Sequence, residues 1–117
     1  MVSSVVHIGC GAGFSGDRVD AAIPVVATLA KKEGPKYLIF ETLAERTLAL
    51  AQKHRRKDPS HGYSPFLESY IRPILKKCHE SGIKIVSNFG AANPKGGAIK
   101  IAEIARETGC KDIKIAI

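Results

Sequence analysis

A chain of 117 residues, 44% hydrophobic and 25% charged, has the length of one domain (residues 1–117) and the composition of a globular fold. It contains nothing close to the run of about eighteen apolar residues that a membrane span needs. Its net charge of +7 favours anionic partners such as phosphorylated cofactors or acidic metabolites.

The start MVSSVVHIGC lacks the basic opening and long apolar core of a signal peptide, so a cytoplasmic protein with no membrane partner is expected. Cys10, Cys78 and Cys110 are widely spaced and form no C-x-x-C pair, which points to reduced thiols and to no metal site. Four runs rich in Val and Ile are predicted as strands, at 4–9, 36–41, 83–88 and 112–117. Between them, helical spacing predicts helices at about 18–33, 43–56, 65–81 and 95–108, with Pro24 kinking the first or delaying its start. Strand and helix alternating in this way predict an α/β fold. It would be an open, mainly parallel, Rossmann-like sheet with helices on both faces in three layers, doubly wound. The run DIKIAI at 112–117 has no helix after it, whereas a parallel strand is normally covered on both faces. The expectation is therefore the amino-terminal part of a larger domain, or a homo-oligomer whose partner covers that strand.

After the first predicted strand, IGCGAGFSGDRVD places four glycines within eight positions, more than one turn requires. Gly11, Gly13 and Gly16 satisfy G-x-G-x-x-G, and Glu41 ends the next strand where a ribose-binding acid would lie, which is the pattern of an NAD(P)-dependent oxidoreductase. Asp17 opposes that reading, because it sets a negative charge where a pyrophosphate would sit. It reads equally as a helix cap, with Asp20 as its capping-box partner. Arg18, next to it, is a candidate for holding an anion. In ETLAER, Glu41 is expected at a partly desolvated strand end where its pKa would rise toward use in proton transfer. Glu45 either complements the helix dipole or shares in acid–base work, and Arg46 either pairs with Glu41 or holds a substrate carboxylate.

In NFGAANPKGG, Asn88 and Asn93 can orient a carbonyl or carboxylate around Gly90, and Gly96 lies on a helix start whose free amides offer a second anion site. Asn93-Pro94 also reads simply as a turn with Pro at the first helical position. His7 is expected in the core of the first strand, and Cys10 as a small residue packed beside the turn. The run Lys53-His54-Arg55-Arg56-Lys57 closes a predicted helix, where cations offset the dipole. With three Tyr, four Phe and no ribonucleoprotein or helix-turn-helix signature, nucleic acid is not expected as a partner.

GCGAGFSGDRVDAA, YLIFETLAERTLALAQ, DPSHGYSPFLE and GIKIVSNFGAANPKGGAIKIAEIARETG, in this order, closely resemble the amino-terminal region of the acyclic terpene utilisation protein A family. The shared segments fall on Gly11 to Arg18, Leu43 to Thr47 and Ser87 to Pro94. The resemblance implies an enzyme or enzyme component of acyclic terpene breakdown, acting on branched acyl coenzyme A thioesters of the citronellol or geraniol type, with a lyase step among the possibilities. A coenzyme A thioester as substrate fits better than bound NAD. A non-catalytic subunit that docks through its last strand is the third reading. For the site, Asp17, Glu41 and Glu45 are the expected acids or bases. Gly11, Gly13, Gly16, Arg18, Arg46, Asn88, Gly90, Asn93 and Gly96 are the expected substrate contacts.

Overall fold

A computed structural model describes residues 4–117. Three strands form one parallel sheet in the order β1 (His7–Ala12), β2 (Lys36–Phe40), β3 (Ile83–Ser87). The helices are α1 (Ala22–Ala30), α2 (Glu45–Lys57), α3 (Leu67–Ile71), α4 (Leu75–Glu80) and α5 (Pro94–Thr108). The open parallel α/β sheet with flanking helices is therefore the fold, and its strand order runs one way without reversal. Right-handed crossovers between strands laid down in one direction bring their helices to the same face. Accordingly α1 lies on β1 and β3, α4 lies on β3, and α4 touches both α1 and α5.

β1 begins three residues later than expected and takes in Gly9 and Gly11. A Cβ at Gly9 would lie 2.5 Å from Val25 of α1, and one at Gly11 would lie 2.4 Å from the Phe40 ring. Glycine is thus required inside the strand, by the close approach of a helix on one hand and of a core aromatic on the other. The pairing with β2 slips between Cys10 and Ala12, a bulge that contains Gly11. His7 is half-buried at the strand start and not in the core, and Cys10 is exposed.

α1 is shorter than the periodicity predicts. Residues 17–20 are occupied by local side-chain bonds, and Pro24 falls in the first turn, where its missing N–H costs nothing. The helix predicted at 65–81 is two short helices, because Pro73 cannot donate to the preceding turn. The expected fourth strand at 112–117 does not form. Gly109 and Asp112 both take positive φ (76° and 60°), and Ile113 to Ala116 run on to line a cavity of about 640 Å³ with β3 and pair with no strand.

The core lies between the sheet and the α1, α3, α4, α5 layer. Leu38 and Phe40 of β2 are fully buried there with Val26, Leu67, Ile71 and Ile104. Phe40, Tyr70 and Phe89 form an aromatic cluster with centroids 5.0–5.5 Å apart, and Tyr70 stacks on Phe89 at 12°. Outside it, Glu68 and Arg72 of α3 and its exit tie to Lys100 and Glu107 of α5 at 2.9 and 2.6 Å. On the opposite face of the sheet, Ile8 and Val86 are 70% and 51% exposed.

Candidate functional site

The loops that leave the carboxyl ends of the three parallel strands meet above the sheet. β2 and β3 are held in step there by one side chain. The Asn88 Oδ1 accepts from the Thr42 backbone N–H at 2.8 Å and from its hydroxyl at 3.3 Å. The Asn88 Nδ2 donates to Glu41 Oε1 at 2.8 Å, and that carboxylate also accepts from the Leu43 N–H at 3.0 Å. The Asn88 amide first, and the Leu43 amide second, hold the Glu41 carboxyl below the ordinary glutamate range, outweighing desolvation. This reverses the expected direction: Glu41 is exposed and stabilised as an anion by donors, where the sequence suggested a desolvated, raised carboxyl.

The loop after β1 closes on itself. Asp17 accepts from the Gly13 N–H at 3.2 Å and the Arg18 N–H at 2.9 Å, so its carboxylate occupies a loop amide that a phosphate would need. It caps no helix, since α1 starts after Ala21, which gives no side-chain cap. Asp20 is likewise no capping-box partner: it takes both ends of the Arg18 guanidinium, at 2.7 and 2.8 Å, which raises the pKa of Arg18 and lowers that of Asp20. The G-x-G-x-x-G segment therefore does not run from a strand end into a helix start: Gly11 lies within β1, and α1 begins six residues past Gly16. Gly16 itself has φ +86°, a conformation suited to glycine, and like Gly13 has open space where a Cβ would stand.

Asn93 is the N-cap of α5, with its Oδ1 accepting from the Gly96 N–H at 3.0 Å and its backbone carbonyl taking the Gly97 N–H. Pro94 is at the first helical position, so the turn reading holds. The Asn93 Nδ2 donates back to the Pro59 and His61 carbonyls at 3.2 and 2.9 Å. The amides expected to form an anion site at Gly96 are thus used within the protein. Gly90 is required by packing, because a Cβ there would lie 2.7 Å from Pro94 Cα. Glu45 opens α2 in its first turn, with Arg46 exposed beside it.

Asn93 also joins the segment 59–66 to the loop after β3, a union completed by Ser64 N–H to the Phe89 carbonyl at 2.7 Å and Ala92 N–H to that of Gly62 at 2.9 Å. Between this latched pair of loops and α2 lies a cavity of about 130 Å³. Thr47, Leu50, Ala51 and His54 of α2 line one side at intervals of three and four residues, a single helix face. Tyr63 to Phe66 and Ala91 line the other, and Ser15, Thr42 and Asn88 border it from the ends of β1, β2 and β3. Its lining is mostly apolar, with hydroxyls, an amide and the His54 imidazole at intervals. Ala91 is held at φ +45°, a conformation unusual for a residue with a side chain.

Of the expected site residues, only Asn88 lines this cavity, with Glu41 directly behind it. Asp17, Gly13 and Arg18 remain in the β1 loop beside Ser15, while Asn93 and Gly96 lie behind the latched loops. Ser15, Thr42, His54 and Tyr63 were not singled out from the sequence as site residues. The signal for two of the walls was present in the 47-50-51-54 spacing and in the segment DPSHGYSP. Among the described residues no helix is long and apolar enough to cross a membrane.

No curated protein and no solved structure shows significant similarity to the chain. The family described as acyclic terpene utilisation family protein AtuA matches residues 6–117, a span that includes all three strands, the β1 loop, both walls of the cavity and the Asn88 bridge. The chain that builds this edge cavity from its three strand ends belongs to the acyclic terpene utilisation family.

Proposed function

We propose that the cavity between α2 and the latched loops receives the branched apolar end of an acyl substrate, and that the protein is an enzyme or enzyme component acting on branched acyl thioesters of acyclic terpene breakdown. The observation that supports it is the cavity itself: a mostly apolar space at the strand ends, bordered by the Thr42–Asn88–Glu41 bridge and by the His54 imidazole and several hydroxyls. Cavities of roughly 150 Å³ accept a six-carbon ring, so about 130 Å³ suits a short branched chain end. Burial of that chain supplies affinity without direction, and the polar border supplies orientation.

In this reading Asn88 lies behind the acyl carbonyl, and Glu41 fixes the amide so that it keeps one orientation. His54 and Ser15, which both line the cavity, are the groups that would carry or receive a proton during cleavage or addition next to the thioester. A lyase step needs a base at a hydroxyl and stabilisation of an enolate oxygen, and this edge offers an imidazole, hydroxyls and an amide donor for those tasks. The oxidoreductase reading has less support, because the Asp17 carboxylate occupies the Gly13 amide and the glycine segment does not open a helix.

Thermal unfolding with 3-methylbutanoyl coenzyme A and with reduced nicotinamide dinucleotide in parallel tests the choice. A ligand at a hundred times its dissociation constant adds roughly 2.7 kcal/mol, a visible shift. Stabilisation by the thioester alone is expected. Stabilisation by the dinucleotide alone would replace this reading with the oxidoreductase.

A further inference from the structure

The flank of α2 next to the cavity carries a row of cations. Arg46, Leu50, Lys53 and Lys57 follow one another at intervals of four, three and four residues, so they share one side of the helix. Leu50 belongs to both faces: it lines the cavity and is 44% exposed. From Arg46 to Lys57 the row extends about 16 Å at 1.5 Å per residue. Among the described residues none of the three cations makes an ion pair, in contrast to Arg18, Arg72 and Lys100, each of which does. Glu45, the one acid on α2, lies about 100° around the helix from Arg46 and so off the row.

Complementing the helix dipole explains a cation only at the carboxyl end. Lys57 lies there, but Lys53 is a turn earlier, and Arg46 is in the first turn, where a positive charge is unfavourable. A row of unpaired cations this long matches several anionic groups in sequence, since a single carboxylate engages one cation at a time. Resting on the reading above, we infer that the Arg46–Lys53–Lys57 flank of α2 binds the phosphate groups of the carrier to which the acyl chain is joined, while the chain end occupies the cavity alongside. The helix then acts as a ruler: its inner face reads the apolar chain and its flank reads the charged carrier.

The test measures binding of two probes with the same acyl group, 3-methylbutanoyl coenzyme A and the 3-methylbutanoyl thioester of N-acetylcysteamine, which lacks phosphates, to the wild-type chain and to Lys53→Glu/Lys57→Glu. The wild type is expected to bind the coenzyme A thioester at least tenfold tighter, with the advantage shrinking as salt rises. The double variant is expected to lose that advantage while binding the short thioester as before. An undiminished advantage in the double variant, or equal binding of both probes by the wild type, would overturn the inference and leave the acyl cavity standing. Failure of the wild type to bind either thioester would overturn the cavity reading, and the inference with it.

Discussion

The Asn88 amide spans 2.8 Å to the Glu41 carboxylate on one side and 2.8 Å to the Thr42 N–H on the other, joining the ends of β2 and β3 through one planar group. Removing it leaves the buried Thr42 backbone donor without its acceptor. Asn88→Ala is expected to lower stability by about 1–3 kcal/mol, the cost of an unsatisfied buried group. Chemical denaturation measures this, and an unchanged midpoint would mean that water replaces the amide fully.

The same pair fixes a pH dependence. Because the Glu41 pKa in the folded protein is depressed by Asn88 and the Leu43 N–H, its contribution to stability is fully present above the ordinary glutamate pKa. It is lost as pH falls through the depressed folded value. Carbon-detected NMR titration should find Glu41 titrating below the ordinary range in the wild type and closer to it in Asn88→Ala. A Glu41 titration indifferent to that substitution would remove Asn88 as its cause.

Glycines in β1 and in the loop after it answer to different demands. Gly11→Ala drives a methyl into the Phe40 ring and is expected to destabilise by about 1–3 kcal/mol, as overpacking does. Gly13→Ala points into open space and should shift the unfolding midpoint little. Equal effects of the two substitutions would contradict the placement of Gly11 within the strand.

Tyr70 reaches from the core to the β1 loop, its hydroxyl donating to the Asp17 carbonyl at 2.7 Å. Burial, and then the nearby Asp17, raises the pKa of that phenol. Tyr70→Phe keeps the stack on Phe89 and should cost about 0.5–1.5 kcal/mol. Amide exchange should accelerate in residues 13–18 ahead of the core strands; uniform acceleration would show that the bond holds no particular loop.

At Ala91, φ +45° places a methyl in the left-handed region at the cavity wall. Ala91→Gly is expected to stabilise the chain by up to about 1 kcal/mol by relieving that conformation. Thermal unfolding decides the sign, and a loss of stability would mean that the methyl's packing outweighs the backbone term.

Three strands and their parallel direction were legible because Val and Ile cluster in short runs separated by helical spacing, whereas the doubly wound order expected of them was not found: they run β1-β2-β3 without reversal. The start of β1 was not, since Gly9 and Gly11 look like loop residues until Val25 and Phe40 are seen to occupy the space of their missing side chains. The run DIKIAI has strand composition, yet the positive φ of Asp112 leads it past β3 without pairing, which composition cannot reveal. Asn88 was legible as a polar group at a strand end. The cavity beside it was not, because its walls are joined by bonds between residues about thirty apart, Asn93 to His61 and Ala92 to Gly62. Arg18, which reads as free to bind an anion, is paired with Asp20 two residues away.

The most direct test of the acyl cavity is an amide NMR titration with 3-methylbutanoyl coenzyme A. Saturable shifts concentrated at Thr42, Leu50, Ala51, His54 and Ala91 are expected, with the core strands unmoved. Shifts confined to Gly13, Gly16 and the start of α1, with none at Ala51 or Ala91, would contradict the acyl cavity and return the site to the glycine loop.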